Sequence, residues 1–177
     1  ATVINFGACV TRQPIFDALW GVPDGMDATR LGHERAGSMN RFATIVAAGG
    51  HLVLNSDSPV TPIDPWSIVR AATNHTVPDE RMTARAAFAA ATRGGWRAIG
   101  DSRAGVISVG APAHLAAWRV AERDVHVPDT RVAGWSTDPR SGTPGLPVLT
   151  GDLPECLATW VHGRVVFGDD IVEADSG

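Results

Sequence analysis

No run of about 18 consecutive apolar residues occurs in this chain, so no helix is expected to span a membrane, and no charged-then-apolar opening marks a secretory signal. Basic residues are few. Fifteen Lys and Arg against 19 Asp and Glu leave a formal net charge of −4, and the arginines are scattered, which removes the electrostatic footprint of nucleic-acid binding. The two cysteines, Cys9 and Cys156, lie far apart in sequence, and such a pair reads as two reduced thiols. His-x-His, Cys-x-x-Cys and His-Glu-x-x-His are all missing, as is the Gly-x-Ser-x-Gly elbow that would expose a nucleophilic serine. There is no internal repeat and no low-complexity linker. These absences point to the cytoplasm, to small soluble partners, and away from membrane and nucleic acid.

What is present is enough for a core: 177 residues with 44% hydrophobic content, the size of one domain or of a domain with an appendage. The chain opens at Ala1 and runs at once into an apolar stretch, which reads as a cut through something longer. Residues 3 to 10 are expected to form a buried strand, and Pro14 to Trp20 a short helix or turn. Gly21 to Ser38, rich in Gly, Asp and charge, reads as a long surface loop. Asn40 is the expected N-cap of a helix over Arg41 to Ala48, closed by Gly49 and Gly50, and His51 to Asn55 supplies a second strand. That order is a β-α-β unit.

Further on, Asp64-Pro65 sets a helix from 65 to about 74, and Thr83 caps an alanine-rich helix that Gly94-Gly95 should stop. Beyond Gly100 the period shortens. Gly105–Val109, His114–Trp118, Val132–Trp135, Leu157–Val161 and Val165–Phe167 read as short strands, with turn chemistry from Trp135 to Pro147. Tryptophans 20, 66, 96, 118, 135 and 160 are spread along the chain as core and interface anchors.

The residue that carries chemistry is Asp57, just past the C-terminal end of the apolar run His51-Leu52-Val53-Leu54. A carboxylate there is where an α/β barrel puts catalytic groups, yet Asp among serines and proline is also an ordinary turn former. Both readings stand on local sequence. His51 falls at the far end of its strand from Asp57 and reads as structural or solvated, and His33 as a loop histidine able to reach the Asp57 face. Cys9, flanked by Ala8 and Val10, reads as a buried thiol.

Several strings in order resemble the C-terminal part of metal-dependent amidohydrolases, in the amidohydrolase family 3 subgroup that includes N-substituted formamide deformylases. They are Gln13-Pro14-x-Phe16-Asp17-Ala18-x-Trp20, Arg30-Leu31-Gly32-x-Glu34-Arg35, Asn55-Ser56-Asp57-Ser58-Pro59-Val60 and Asp64-Pro65-Trp66. Gly105 to Ala116 is similar to the Gly-x-Leu-x-x-Gly-x-x-Ala-Asp-Leu signature of that superfamily's β-sandwich appendage, with His114 where Asp is usual. Trp135-Ser136-Thr137-Asp138-Pro139-Arg140 and Val161 to Phe167 continue the likeness.

The resemblance implies an α/β fold: about the last two β/α units of a (β/α)8 barrel over residues 1–100, then a small β-sandwich appendage over 101–177 that lacks strands contributed by the family's N-terminus. It implies that Asp57 binds the catalytic divalent metal, usually zinc, and takes the proton from metal-bound water as that water attacks the substrate carbonyl. Trp20, Arg30 and Ser58 are the expected substrate-binding residues, by nearness to the presumed active face. The reaction implied is hydrolysis of a small-molecule amide or related C–N bond, not a peptide bond.

The family's remaining ligands, a His-x-His, a Lys or Glu and two further histidines, would all lie upstream of Ala1. A whole barrel of this class takes about 250 residues. The chain alone is therefore expected to bind no metal and to be catalytically incomplete, to need an N-terminal portion or another chain, and to self-associate through open strand edges. The competing reading is a non-catalytic fragment or assembly partner that binds another chain through those edges.

Overall fold

The computed structural model describes residues 7–124 and 145–168. The chain divides into two units, Ala1–Gly100 and Asp101–Gly177, each described by itself. The fold is mixed α/β with small sheets.

The first unit is built on two parallel strands, β1 (Cys9–Arg12) and β2 (His51–Leu54), paired from Cys9↔His51 to Arg12↔Leu54. Helices α1 (Pro14–Trp20), α2 (Met26–Leu31), α3 (His33–Ala36) and α4 (Phe42–Ala47) connect them. The β-α-β unit expected from sequence is thus present, because parallel neighbours require a crossover. Three details differ. Of the strand expected over residues 3 to 10, Cys9 and Val10 lie in β1, which runs on to Arg12; Gly7 sits in a turn with φ 68, and residues 3–6 lie outside the described residues. The stretch from Gly21 to Ser38 is not a plain loop but carries α2 and α3, separated by Gly32 with φ 80, and Ala28 of α2 is buried. Asn40 is no N-cap; α4 follows Arg41 without a side-chain cap, and Asn40 holds φ 53 with its carbonyl turned to His75 Nε2 at 2.8 Å.

Two longer helices complete the unit. In α5 (Pro65–Thr73) the Asp64 carboxylate accepts from Ser67 N–H, and Pro65 needs no partner at the first helical position. A 3-10 turn, Pro78–Glu80, leads to α6 (Ala84–Ala98), capped as expected by Thr83, whose hydroxyl accepts from Ala86 N–H. The core is the seam of these helices with β2: Leu52, Leu54, Phe42, Trp66, Ile68, Val69 and Ala72 are buried, and Trp66 stacks on Phe88 at 5.6 Å.

Gly94-Gly95 does not end α6, which continues to Ala98. The buried face of α6 is Ala84, Ala87, Ala90 and Gly94, all small, and a Cβ on Gly94 would stand 2.7 Å from the carbonyl oxygen of Leu52. Glycine is there to let helix and strand touch, not to stop the helix.

In the second unit β3 (Leu115–Arg119), β6 (Glu155–Val161) and β7 (Arg164–Gly168) form an antiparallel sheet in the order β3-β6-β7, and β4 (Arg123–Asp124) pairs with β5 (Leu146–Pro147). β6 and β7 turn through His162 (φ 49) and Gly163 (φ 75), both positive as a type I′ hairpin requires. Gly105–Val109 is not a strand. Asp101 Oδ1 takes the amides of Arg103 and Ala104 into a turn, Gly105 and Gly110 have positive φ, and Ile107 and Val109 project into solvent. Leu146–Pro147 lies in a strand where a turn was expected, while Val132–Trp135 lies outside the described residues. Among the described residues no helix is long and apolar enough to cross a membrane.

Candidate functional site

Asp57 is exposed and stands three residues beyond β2, at the C-terminal end of both parallel strands. Its backbone takes φ 54, a left-handed conformation that Asp and Asn tolerate better than most side chains. The turn around it is fixed by other groups. Asn55 Oδ1 accepts from Asp57 N–H at 3.0 Å, Asp57 C=O accepts from Val60 N–H at 2.9 Å, and Ser56 Oγ accepts from Ser58 N–H at 3.2 Å. Buried Ser56 and Thr61 close the base of the loop, with Thr61 Oγ1 donating to Ser56 C=O at 2.5 Å; the Ser58–Pro59 bond is cis.

The side chain of Asp57 does none of this. Among the described residues no hydrogen bond or ion pair engages its carboxylate. A turn-forming Asp is recognised by a side-chain oxygen on a backbone amide two residues on, and here Asn55 performs that task. Asp57 serves the turn through its positive φ and its backbone, and its carboxylate supplies none of the turn's hydrogen bonds.

The other expected residues are less closely tied to it. Ser58 is exposed and adjacent. Trp20 is half-buried at the last position of α1, its ring 4.5 Å from Phe16, and seven helical residues place it roughly 10 Å along the axis from the strand ends. Arg30 is exposed on α2. No described hydrogen bond or ring contact joins Trp20 or Arg30 to the Asp57 turn. His33 is exposed beside a shallow cleft of about 150 Å³ lined also by Val22, Thr76 and Val77. His51 is exposed, and Cys9 and Cys156 are free thiols.

A buried polar lattice of the first unit escaped the sequence reading. Asp17, 3% exposed, accepts from Thr76 N–H and Thr76 Oγ1, both at 2.9 Å, and lies 3.4 Å from His75 Nε2. Val77 N–H donates to His75 Nδ1 at 2.9 Å, so the ring proton is on Nε2 and goes to the Asn40 carbonyl. Buried Glu80 accepts from Thr44 N–H at 3.0 Å and pairs with the Thr44 hydroxyl. Local sequence carried no sign of this, since Asp17, Asn40 and Thr44 lie 35 to 59 positions from the groups they meet. These groups are consumed by one another, and they tie α1 and α4 to the α5–α6 connection. Asp17→Ala, which strands the Thr76 donors, is expected to cost about 2 kcal/mol, read as a lower urea midpoint with an unchanged slope.

A catalytic metal normally takes three or more protein ligands. Among the described residues no three His, Cys, Asp or Glu side chains converge, so Asp57 by itself does not make a metal centre.

Comparison with known proteins identifies the family. The amidohydrolase family profile matches residues 2–167. The chain belongs to the amidohydrolase family. Among solved structures it is similar to an uncharacterized metal-dependent hydrolase from Pyrococcus furiosus, at 26% identity and a TM-score of 0.54 over 63% of this chain and 23% of that one. A second, from Pyrococcus horikoshii OT3, is 28% identical with a TM-score of 0.54 over 63% of this chain and 24% of that one. This amidohydrolase chain thus spans less than a quarter of either hydrolase. No curated protein matches it.

Proposed function

We propose that the chain is the C-terminal portion of a metal-dependent amidohydrolase that hydrolyses an amide or related C–N bond of a small molecule, in the subgroup of the N-substituted formamide deformylases. One observation carries the reading: Asp57 offers a carboxylate with no described partner at the C-terminal edge of two parallel strands, in a turn that other side chains hold. In an α/β barrel that edge is where reacting groups sit. On this reading β1 and β2 are the last two barrel strands, and the second unit is the β-sandwich appendage.

When bound, a divalent ion, here proposed to be zinc, would lower the pKa of its water ligand to about 7. Asp57 would contribute one oxygen ligand and a place to hold a proton; the other ligands would come from residues beyond those described, on an N-terminal portion or another chain. Ser58, Trp20 and Arg30 are proposed to meet the substrate, Ser58 by adjacency and the other two from the helices that follow β1. The cytoplasm is the proposed setting.

The test is metal analysis and amide hydrolysis of the 177-residue chain alone and mixed with a polypeptide supplying the upstream barrel strands. Activity and stoichiometric zinc are expected in the mixture only. Zinc-dependent hydrolysis by the chain alone would overturn the claim of incompleteness, and a stable, inactive complex would favour the assembly-partner reading.

A further inference from the structure

We propose that Gln13 and Asn55 are positioning residues that set the Asp57 carboxylate for the reaction. The inference rests on the reading of Asp57 above and adds to it the groups that hold the carboxylate in place.

One oxygen gathers two donors. Asn55 Oδ1 lies 3.0 Å from Asp57 N and 3.2 Å from Gln13 Nε2. A backbone N–H only donates, so the side-chain atom of Asn55 facing Asp57 is its oxygen, and Gln13 must present its NH2 group to the same atom. Both amide orientations follow from the single obligate donor. Meanwhile Asn55 N–H donates to the Arg12 carbonyl at 3.0 Å, carrying the β1–β2 ladder one residue past Arg12↔Leu54.

Two hydrogen bonds therefore join the C-terminal ends of the two strands, and the third ties Asp57 to that junction. Gln13 and Asn55 are half-buried, so water competes less for these bonds than at an open surface. Gln13 also directly precedes Pro14 at the start of α1, where a side chain ordinarily caps the helix. Its side chain makes no cap bond and crosses to the other strand instead. With φ 54, Asp57 occupies a conformation most side chains avoid, and the Asn55 bond is what selects it over an extended path.

The functional consequence is geometric. A carboxylate that reacts must be placed to within a fraction of an ångström, and small displacements lower turnover more than binding. Asn55 and Gln13 touch the backbone and the neighbouring amide, not the carboxylate, so their loss moves Asp57 without removing it.

The experiment uses Asn55→Ala and Gln13→Ala, with Asn55→Asp as the conservative variant that keeps an acceptor oxygen for both donors. In the isotope-labelled 177-residue chain, Asn55→Ala should speed amide exchange of Asp57 about tenfold or more and weaken its intraresidue HN–Hα cross-peak, the signature of positive φ. Gln13→Ala should do the same to a smaller extent. Asn55→Asp should retain protection. In the reconstituted hydrolase the two alanine variants should lower kcat about 10- to 100-fold with KM changed less than twofold.

Full protection of the Asp57 amide in Asn55→Ala would overturn the proposal, as would lost protection with unchanged kcat. If Asp57→Asn itself leaves turnover intact, the reading of Asp57 fails, and the exchange data still report separately whether Asn55 holds the turn.

Discussion

Asp57→Asn is expected to lower kcat of the reconstituted hydrolase about 10³-fold while the chain folds as before. The substitution separates chemistry from structure unusually well at this position. Asn tolerates φ near +54 as readily as Asp does, and the hydrogen bonds of the turn use the backbone of residue 57, not its side chain. What is lost is the anionic oxygen that, on the proposed reading, binds a cation and accepts a proton. Steady-state kinetics with a formamide-type substrate, alongside circular dichroism and the thermal midpoint, reads both halves. Asp57→Glu keeps the charge on a side chain one methylene longer, and it is expected to fall between wild type and Asn.

Two adjacent glycines should respond with opposite signs. Gly94→Val is expected to destabilise the first unit by more than about 3 kcal/mol, because its Cβ would meet the Leu52 carbonyl oxygen at 2.7 Å and Val53 Cα at 3.3 Å. Both atoms are backbone and cannot rotate away. Relief requires α6 to lift off β2, which separates Ala87 and Ala90 from the core and shifts the strand that ends at Asp57. Gly95→Ala meets nothing within 4 Å and replaces the poorest non-proline helix former with the best, so it should gain about 0.5 to 1 kcal/mol. Urea titrations of the two variants measure the contrast directly. Equal effects would show that α6 ends before residue 94.

What the sequence disclosed, and what it did not, follows the range of the forces involved. Asp64-Pro65 and Thr83 announced their helices because a cap is a contact over three residues. The parallel pairing of β1 with β2 was legible because strand, helix and strand in that order leave few topologies. Gly94 misled, since a glycine that permits close approach and one that ends a helix look alike until the strand opposite is known. Gly105–Val109 misled for a related reason: its apolar alternation resembled a strand, but positive φ at Gly105 and Gly110 turns the chain away from pairing.

At the site the asymmetry is the same. Asp57 was visible as a carboxylate after an apolar run, and its resemblance to a family motif gave it a role. That its turn is held by Asn55 was written locally, in an Asn two residues before it, but the Gln13 partner is 42 residues distant and no local rule names it. The Asp17–His75–Thr76 lattice is longer in range still, with Asp17 and Thr76 59 positions apart. Family membership, in turn, rests on the match over residues 2–167, not on any single group.

The measurement that bears most directly on Asp57 is a Mn2+ titration of the isotope-labelled chain within the reconstituted hydrolase, following paramagnetic broadening residue by residue. The account predicts that the amides of Ser56, Asp57 and Ser58 broaden first, at stoichiometric metal, and that Asp57→Asn weakens the effect at least tenfold. Broadening centred instead on His114 and His162, whose rings meet at 4.3 Å in the second unit, with the Asp57 turn untouched, would contradict it.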